Sequence, residues 1–234
     1  MKIKKIIFVF LLIGILLTIP GPKDLQIMAS KVKPSLTIVV DAGHGVPDGG
    51  AEGSDGTLEA TLNLAIAKAI EREGSQRGIK VILTRTTEEG LYTNENVEKK
   101  WKKLEDLQCR KTIMDSSKAN LAISVHMNAF PSDTSVHGAQ VFYPKSGNAE
   151  VLTESERLAE SIQRALVKGL ADGSNRSHMG KGNVYLLENP SLPIALVECG
   201  FLSNCQDLGT LKQEKWQRKV AVCILDGIQS YMEI

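Results

Sequence analysis

Aromatic residues are sparse in this chain, 5% of 234, and its charges nearly cancel, with 28 Lys and Arg against 27 Asp and Glu. Phosphate binding needs a basic excess that is missing here, so no nucleic-acid partner is expected. Cysteine is scarce as well. Cys109, Cys199, Cys205 and Cys223 form no Cys-x-x-Cys pair, which excludes a zinc knuckle or a thioredoxin-type site. A chain of this length buries a sizeable core without disulfide staples, and with no histidine near it in sequence Cys199 is not read as a nucleophile. There is also no internal repeat, no low-complexity tract and no sign of a second folded domain.

Long apolar runs are absent except at the N-terminus, where Lys2, Lys4 and Lys5 precede an apolar stretch from Ile6 to Ile19 closed by Pro20-Gly21-Pro22. A basic start followed by about 7–15 apolar residues is an export signal, whereas a comfortable membrane span takes about 20. No clean Ala-x-Ala site follows. Residues 1–20 are therefore read as a signal peptide or an uncleaved signal anchor, the latter leaving the N-terminus in contact with the membrane and the body outside. Residues 21–35 read as a linker, and 36–234 as one folded domain.

Within that body, apolar runs alternate with helix-periodic segments. Strands are expected at Leu36–Asp41, Ile79–Leu83, Asn120–His126, within Val136–Tyr143, at Asn183–Leu187 and at Ile194–Glu198. Helices are expected from Leu58 to about Gln76 behind a Thr57 N-cap, and over Leu104–Lys118, Val151–Leu170 and Trp216–Tyr231. The glycine- and aspartate-rich 46–56 and the Gly, Ser and Asn stretch 171–182 read as loops. Glu88–Gln108 is strongly charged and reads either as an excursion over the site or as a solvated helix. Strands alternating with helices give a three-layer α/β domain with a mainly parallel sheet.

The chemistry gathers at strand ends. The buried run Ile38-Val39-Val40-Asp41 stops at Ala42-Gly43-His44-Gly45, and ligands of open α/β sheets sit beyond the carboxyl ends of strands. His44, Glu59 and His126 make a two-histidine, one-glutamate set of the kind that holds a catalytic zinc ion with a position left for water. Each residue also has a plainer reading: Glu59 as a first-turn helix acid, His126 as a structural histidine. Glu198 ends a buried apolar strand, a costly place for a carboxylate unless it is paired or faces a cleft, and suits the general base that such a site needs. Asn128, two residues beyond His126, addresses the same crevice. Arg85 follows the second strand and is either a clamp for a substrate carboxylate or one half of a surface ion pair.

Asp41-Ala42-Gly43-His44-Gly45, Asp48-Gly49-Gly50-Ala51, Glu59, Thr84-Arg85, Ser124-Val125-His126-Met127-Asn128 and Val197-Glu198-Cys199-Gly200-Phe201-Leu202-Ser203-Asn204 follow one another as in the zinc-dependent N-acetylmuramoyl-L-alanine amidases. The resemblance runs from about Leu36 to the C-terminus and is strongest to the spore-cortex branch, which is compact and carries no obvious wall-binding module. It implies a mixed six-stranded α/β fold, one zinc ion on His44, Glu59 and His126, and Glu198 as the catalytic glutamate. It also implies that the substrate is peptidoglycan, both glycan strand and stem peptide, cut at the amide between N-acetylmuramic acid and L-alanine. Asn128 and Arg85 are then candidate substrate contacts. Ala60 and Asp115 depart from the Lys and Asn common in relatives. An exported activating or recruiting protein is a possible partner. Two rival readings are a zinc carboxypeptidase with Arg85 as its clamp, and a catalytically silent wall-binding protein.

Overall fold

A computed structural model describes residues 36–93 and 99–233; the export segment and linker read from the sequence lie outside them. β1 (Thr37–Ala42), β2 (Lys80–Leu83), β3 (Leu121–Asn128), β4 (Gln140–Pro144), β5 (Met179–Lys181) and β6 (Ile194–Phe201) form one sheet in the order β2-β1-β3-β6-β4-β5. β1 runs parallel to β2 and β3, and β3 parallel to β6; β4 lies antiparallel to β6 and parallel to β5. This is the mixed, mainly parallel six-stranded sheet that the resemblance implied. β1, β3 and β6 are apolar on both sides because helices cover both faces, as parallel strands require.

The period-2 geometry of the strands sorts their side chains between two cores. Ile38, Val40, Leu121, Ile123, Ala195 and Val197 face α1 (Glu59–Gln76), α3 (Ala149–Leu170) and α5 (Glu214–Met232). Val39, Ala122, Ile194 and Leu196 face the other way, against Met114 of α2 (Lys99–Ser116) and Leu186 and Leu187 of a 3-10 turn. On α3 the spacing of Leu158, Ile162 and Leu166 turns one stripe inward, and all three are fully buried. Burial of such side chains stabilises the fold by about 1.5–3 kcal/mol each. Asn148 caps α3, its side chain accepting from the amides of Glu150 and Val151 at 2.9 and 3.3 Å.

The structure departs from the sequence reading at four places. Residues 183–187 are not a strand: Tyr185–Leu187 form a 3-10 turn whose leucines plug the smaller core, and the strand lies earlier, at Met179–Lys181, inside the stretch read as a loop. Thr57 does not cap α1. Leu58 occupies that position, and the first free amides, Glu59 and Ala60, donate to the carbonyls of Ala51 and Gly49 at 2.9 and 3.0 Å, so loop backbone replaces a side-chain cap. A short helix, α4 (Cys205–Leu211), capped by Asn204, follows β6 and had no counterpart in the sequence reading. The charged segment, where described, contains the start of α2, which extends from Lys99 rather than Leu104.

Candidate active site

β1, β3 and β6 lie side by side and end together, so the residues at their carboxyl ends share one rim. The turn after β1 carries His44 in the left-handed region, φ 60°, a conformation that costs a non-glycine residue of order 1 kcal/mol or more and persists only where surroundings impose it. Here Arg110 of α2 imposes it. Its guanidinium, 1% exposed, donates to Asp41 Oδ1 and the Ala42 carbonyl, both at 2.6 Å, to the His44 carbonyl, and to Asp106 one helical turn earlier. Asp41 is fully buried and also accepts from Ser124 at 2.6 Å and Thr84 at 2.7 Å. Burial alone favours its neutral form, but the Arg110 charge and these hydroxyls outweigh that and hold its pKa below the ordinary value.

Glu59 opens α1 with its carboxylate turned back into the site. Its Oε1 lies 3.3 Å from His44 Nε2 and 2.8 Å from His126 Nδ1, and accepts from the Met127 amide at 3.1 Å; its Oε2 accepts from the Ala51 amide at 2.9 Å. One ligating atom from each of His44, Glu59 and His126 falls within 4.8 Å of the others. The imidazoles meet edge to face, 5.0 Å between centroids. The donor types suit zinc, being two nitrogens and an oxygen, and His44 has its other nitrogen, Nδ1, 3.1 Å from Asp48 Oδ2, the orienting carboxylate usual behind a metal-binding histidine. Burial works against the imidazolium of His44, but Asp48 and Glu59 prevail and raise its pKa to about 9; burial likewise opposes ionised Glu59, which the two histidines keep well below the carboxylate range.

Two glycines leave room for this packing. A Cβ on Gly43 would stand 2.3 Å from the His126 ring, and one on Gly50, where φ is +73°, would stand 2.6 Å from Glu59 Oε2.

Glu198 pairs with His126 across the β3–β6 ladder. It is 7% exposed. Lys181 Nζ lies 3.5 Å from its Oε1, while its Oε2 is buried without a hydrogen-bond partner. Burial pushes its pKa up, and nearby His126 and Lys181 only partly offset that. A buried acceptor left open beside a possible metal group is placed to take a proton. Cys199 next to it points into the core, and burial raises its thiol pKa, which fits an inert side chain.

Arg85 departs from the sequence reading. It is 3% exposed, and its guanidinium donates to the carbonyls of Ala42, Thr87, Gly43 and Ala60 at 2.8–3.0 Å. It braces the rim from behind and is neither a carboxylate clamp nor a surface ion pair. Asn128 sits at the end of β3 with its own carbonyl holding Leu202 and its side chain accepting from the Ala129 amide, beyond a register shift that follows His126. Arg110 and Lys181 were missed from sequence. Arg110 lay hidden among the charges of 88–118, where only its i,i+4 spacing from Asp106 was a signal; Lys181 sat in an apparent loop.

A family model described as N-acetylmuramoyl-L-alanine amidase matches residues 38–230. The chain is 37% identical over 194 residues to the germination-specific N-acetylmuramoyl-L-alanine amidase of Bacillus subtilis, covering 83% of this chain and 78% of that one. Among solved structures, the CwlD amidase from Clostridioides difficile in complex with the GerS lipoprotein superposes with a TM-score of 0.79 at 38% identity, covering 85% of this chain and 99% of that one. An N-acetylmuramoyl-L-alanine amidase from Clostridium difficile 630 gives 0.72 at 27%, covering 86% and 98%.

Proposed function

Since the chain belongs to the N-acetylmuramoyl-L-alanine amidase family, we propose that it cuts the amide between the lactyl group of N-acetylmuramic acid and L-alanine in spore-cortex peptidoglycan. The stem peptide leaves with a free amine, and the bared muramic acid can go on to the δ-lactam. The observation that carries this reading is the convergence of His44, Glu59 and His126 within 4.8 Å beside a buried glutamate with one unpartnered oxygen.

His44, Glu59 and His126 would hold one zinc ion. When bound, zinc supplies a Lewis acid that polarises the scissile carbonyl and acidifies water. The remaining work belongs to the protein. Glu198 takes the proton of the attacking water on Oε2 and returns it to the nitrogen of the departing alanine. Lys181 steadies Oε1 so that Oε2 faces the reacting atoms. Asp48 fixes the ring of His44, and Arg110 fixes the turn that carries it. Asn128 is proposed as a substrate contact at the end of β3.

The export segment, residues 1–20, would deliver the body, 36–234, to the wall outside the cytoplasmic membrane, and no helix among the described residues is long and apolar enough to cross one. An exported protein that recruits or activates the enzyme is supported by the lipoprotein bound to the C. difficile relative; full activity and full zinc occupancy of the protein alone would argue against it.

Mass spectrometry of cortex digests tests the reaction. Intact stem peptides with a free L-alanine amine, released only without chelator, are expected. Loss of single C-terminal residues instead would make the protein a carboxypeptidase, and no release at all would leave a wall-binding protein.

A further inference from the structure

Beside the metal loop lies a cavity of about 390 Å³ lined by Gly45, Pro47, Asp48, Tyr92, Lys102 and Lys103, among others. Its size is that of a small-ligand site, and it shares Asp48 with the support of His44. Gly45 and Gly90 bring two loops together at its back, where a Cβ on Gly45 would stand 2.7 Å from the Gly90 nitrogen.

Among the described residues, the charges around it leave one cation over. Lys103 Nζ is 2.9 Å from Asp48 Oδ2. Asp106 is held by Arg110 and by the Leu91 amide. Lys102 is half-buried, rests its ammonium over the Tyr92 ring at 4.8 Å from the centroid, and has no carboxylate partner among the described residues. An ammonium lining a partly apolar cavity is a site for an anion. In the substrate assigned above, the lactyl carboxyl is tied up in the amide and the glycan is uncharged, so the carboxylates belong to the stem peptide. One face of Tyr92 already carries Lys102, which makes it a poor platform for a sugar ring.

We propose that this cavity is the stem-peptide subsite, with Lys102 meeting a peptide carboxylate and the Pro47 and Tyr92 walls meeting the peptide's apolar stem. The proposal rests on the amidase reading for its substrate, and it fixes which side of the metal loop the peptide occupies. The glycan then runs away from α2.

Two measurements on the full-length protein test it. With a soluble muramoyl-peptide whose carboxylates are free, Lys102→Ala should raise KM about tenfold, the worth of one charge-assisted hydrogen bond, leave kcat within a factor of two, and Lys102→Arg should restore KM. With the same peptide capped as amides, KM should be high already and indifferent to the substitution. Equal effects on both substrates, or none on the free acid, overturn the proposal. Titration of the free stem peptide, which needs no turnover, should show binding to the parent protein and about tenfold weaker binding to Lys102→Ala. If the parent binds no peptide, the subsite is wrong whatever the activity. Peptide binding that depends on Lys102 in a protein with no turnover would uphold the subsite and refute the amidase assignment instead.

Discussion

Glu198 and Gly43 show how one atom governs this site. Glu198 offers a single open oxygen, and its other oxygen is already met by Lys181. Glu198→Gln keeps the shape and removes the proposed base, so peptide release should fall by at least about 100-fold while zinc stoichiometry, read by elemental analysis, stays at that of the parent. Normal turnover would remove Glu198 from the mechanism. Gly43→Ala acts on the proposed zinc ligands instead. The new methyl would stand 2.3 Å from His126, the ring must move, and zinc affinity should drop about 10–100-fold in competition with a chelating dye. At this scale the sequence was informative where chemistry contradicted environment: a carboxylate ending a buried strand and histidines at strand ends stood out. Arg85 did not, because an arginine after a strand looks the same whether its donors go to solvent or to four backbone carbonyls. Only folding brings those carbonyls to it.

α2 is the element on which the loop carrying His44 depends. Lys103, Asp106 and Arg110 fall along one face at i, i+3 and i+7 and reach Asp48, the Leu91 amide and the β1 turn respectively. Arg110→Ala leaves Asp41 buried and unpaired and should cost about 3–5 kcal/mol of unfolding free energy in urea. The same pair gives the fold an acid limb. Because Asp41 has a folded pKa below the ordinary 3.8, its contribution is complete above that unfolded value and is lost as pH falls from there through the folded one. Urea midpoints should therefore drop on acidification below about pH 4, and the drop should be smaller in Asp41→Asn. Periodicity made α1, α3, α5 and the three central strands readable, since each buries a whole stripe or both faces. β5 was not readable: three residues, Met179-Gly180-Lys181, pair with one neighbour at the sheet edge and bury little, so nothing in their hydropathy distinguishes them from loop. Val184-Tyr185-Leu186-Leu187 has the residues of a strand, yet its leucines are buried by a turn.

In the whole molecule, the cores and the site are separate. The apolar clusters lie between sheet and helices, and the His44, Glu59 and His126 group sits past the strand ends. Chelation should accordingly abolish peptide release while leaving the far-UV circular dichroism and the cooperative urea transition in place, and added zinc should restore activity without a refolding step. Collapse of the spectrum on chelation would mean that the ion also organises the fold. Domain class followed from the alternation of strand and helix signals, but the order of the strands did not, because which strands become neighbours is set by how the connecting helices cover the two faces.

His44, Glu59, His126 and Glu198 gather along the rim where three neighbouring central strands end. A cross-linked mesh has no loose end to feed through a narrow opening. A site laid along such a rim would suit a sideways approach to that fabric, with one pendant peptide clipped and the thread itself left whole.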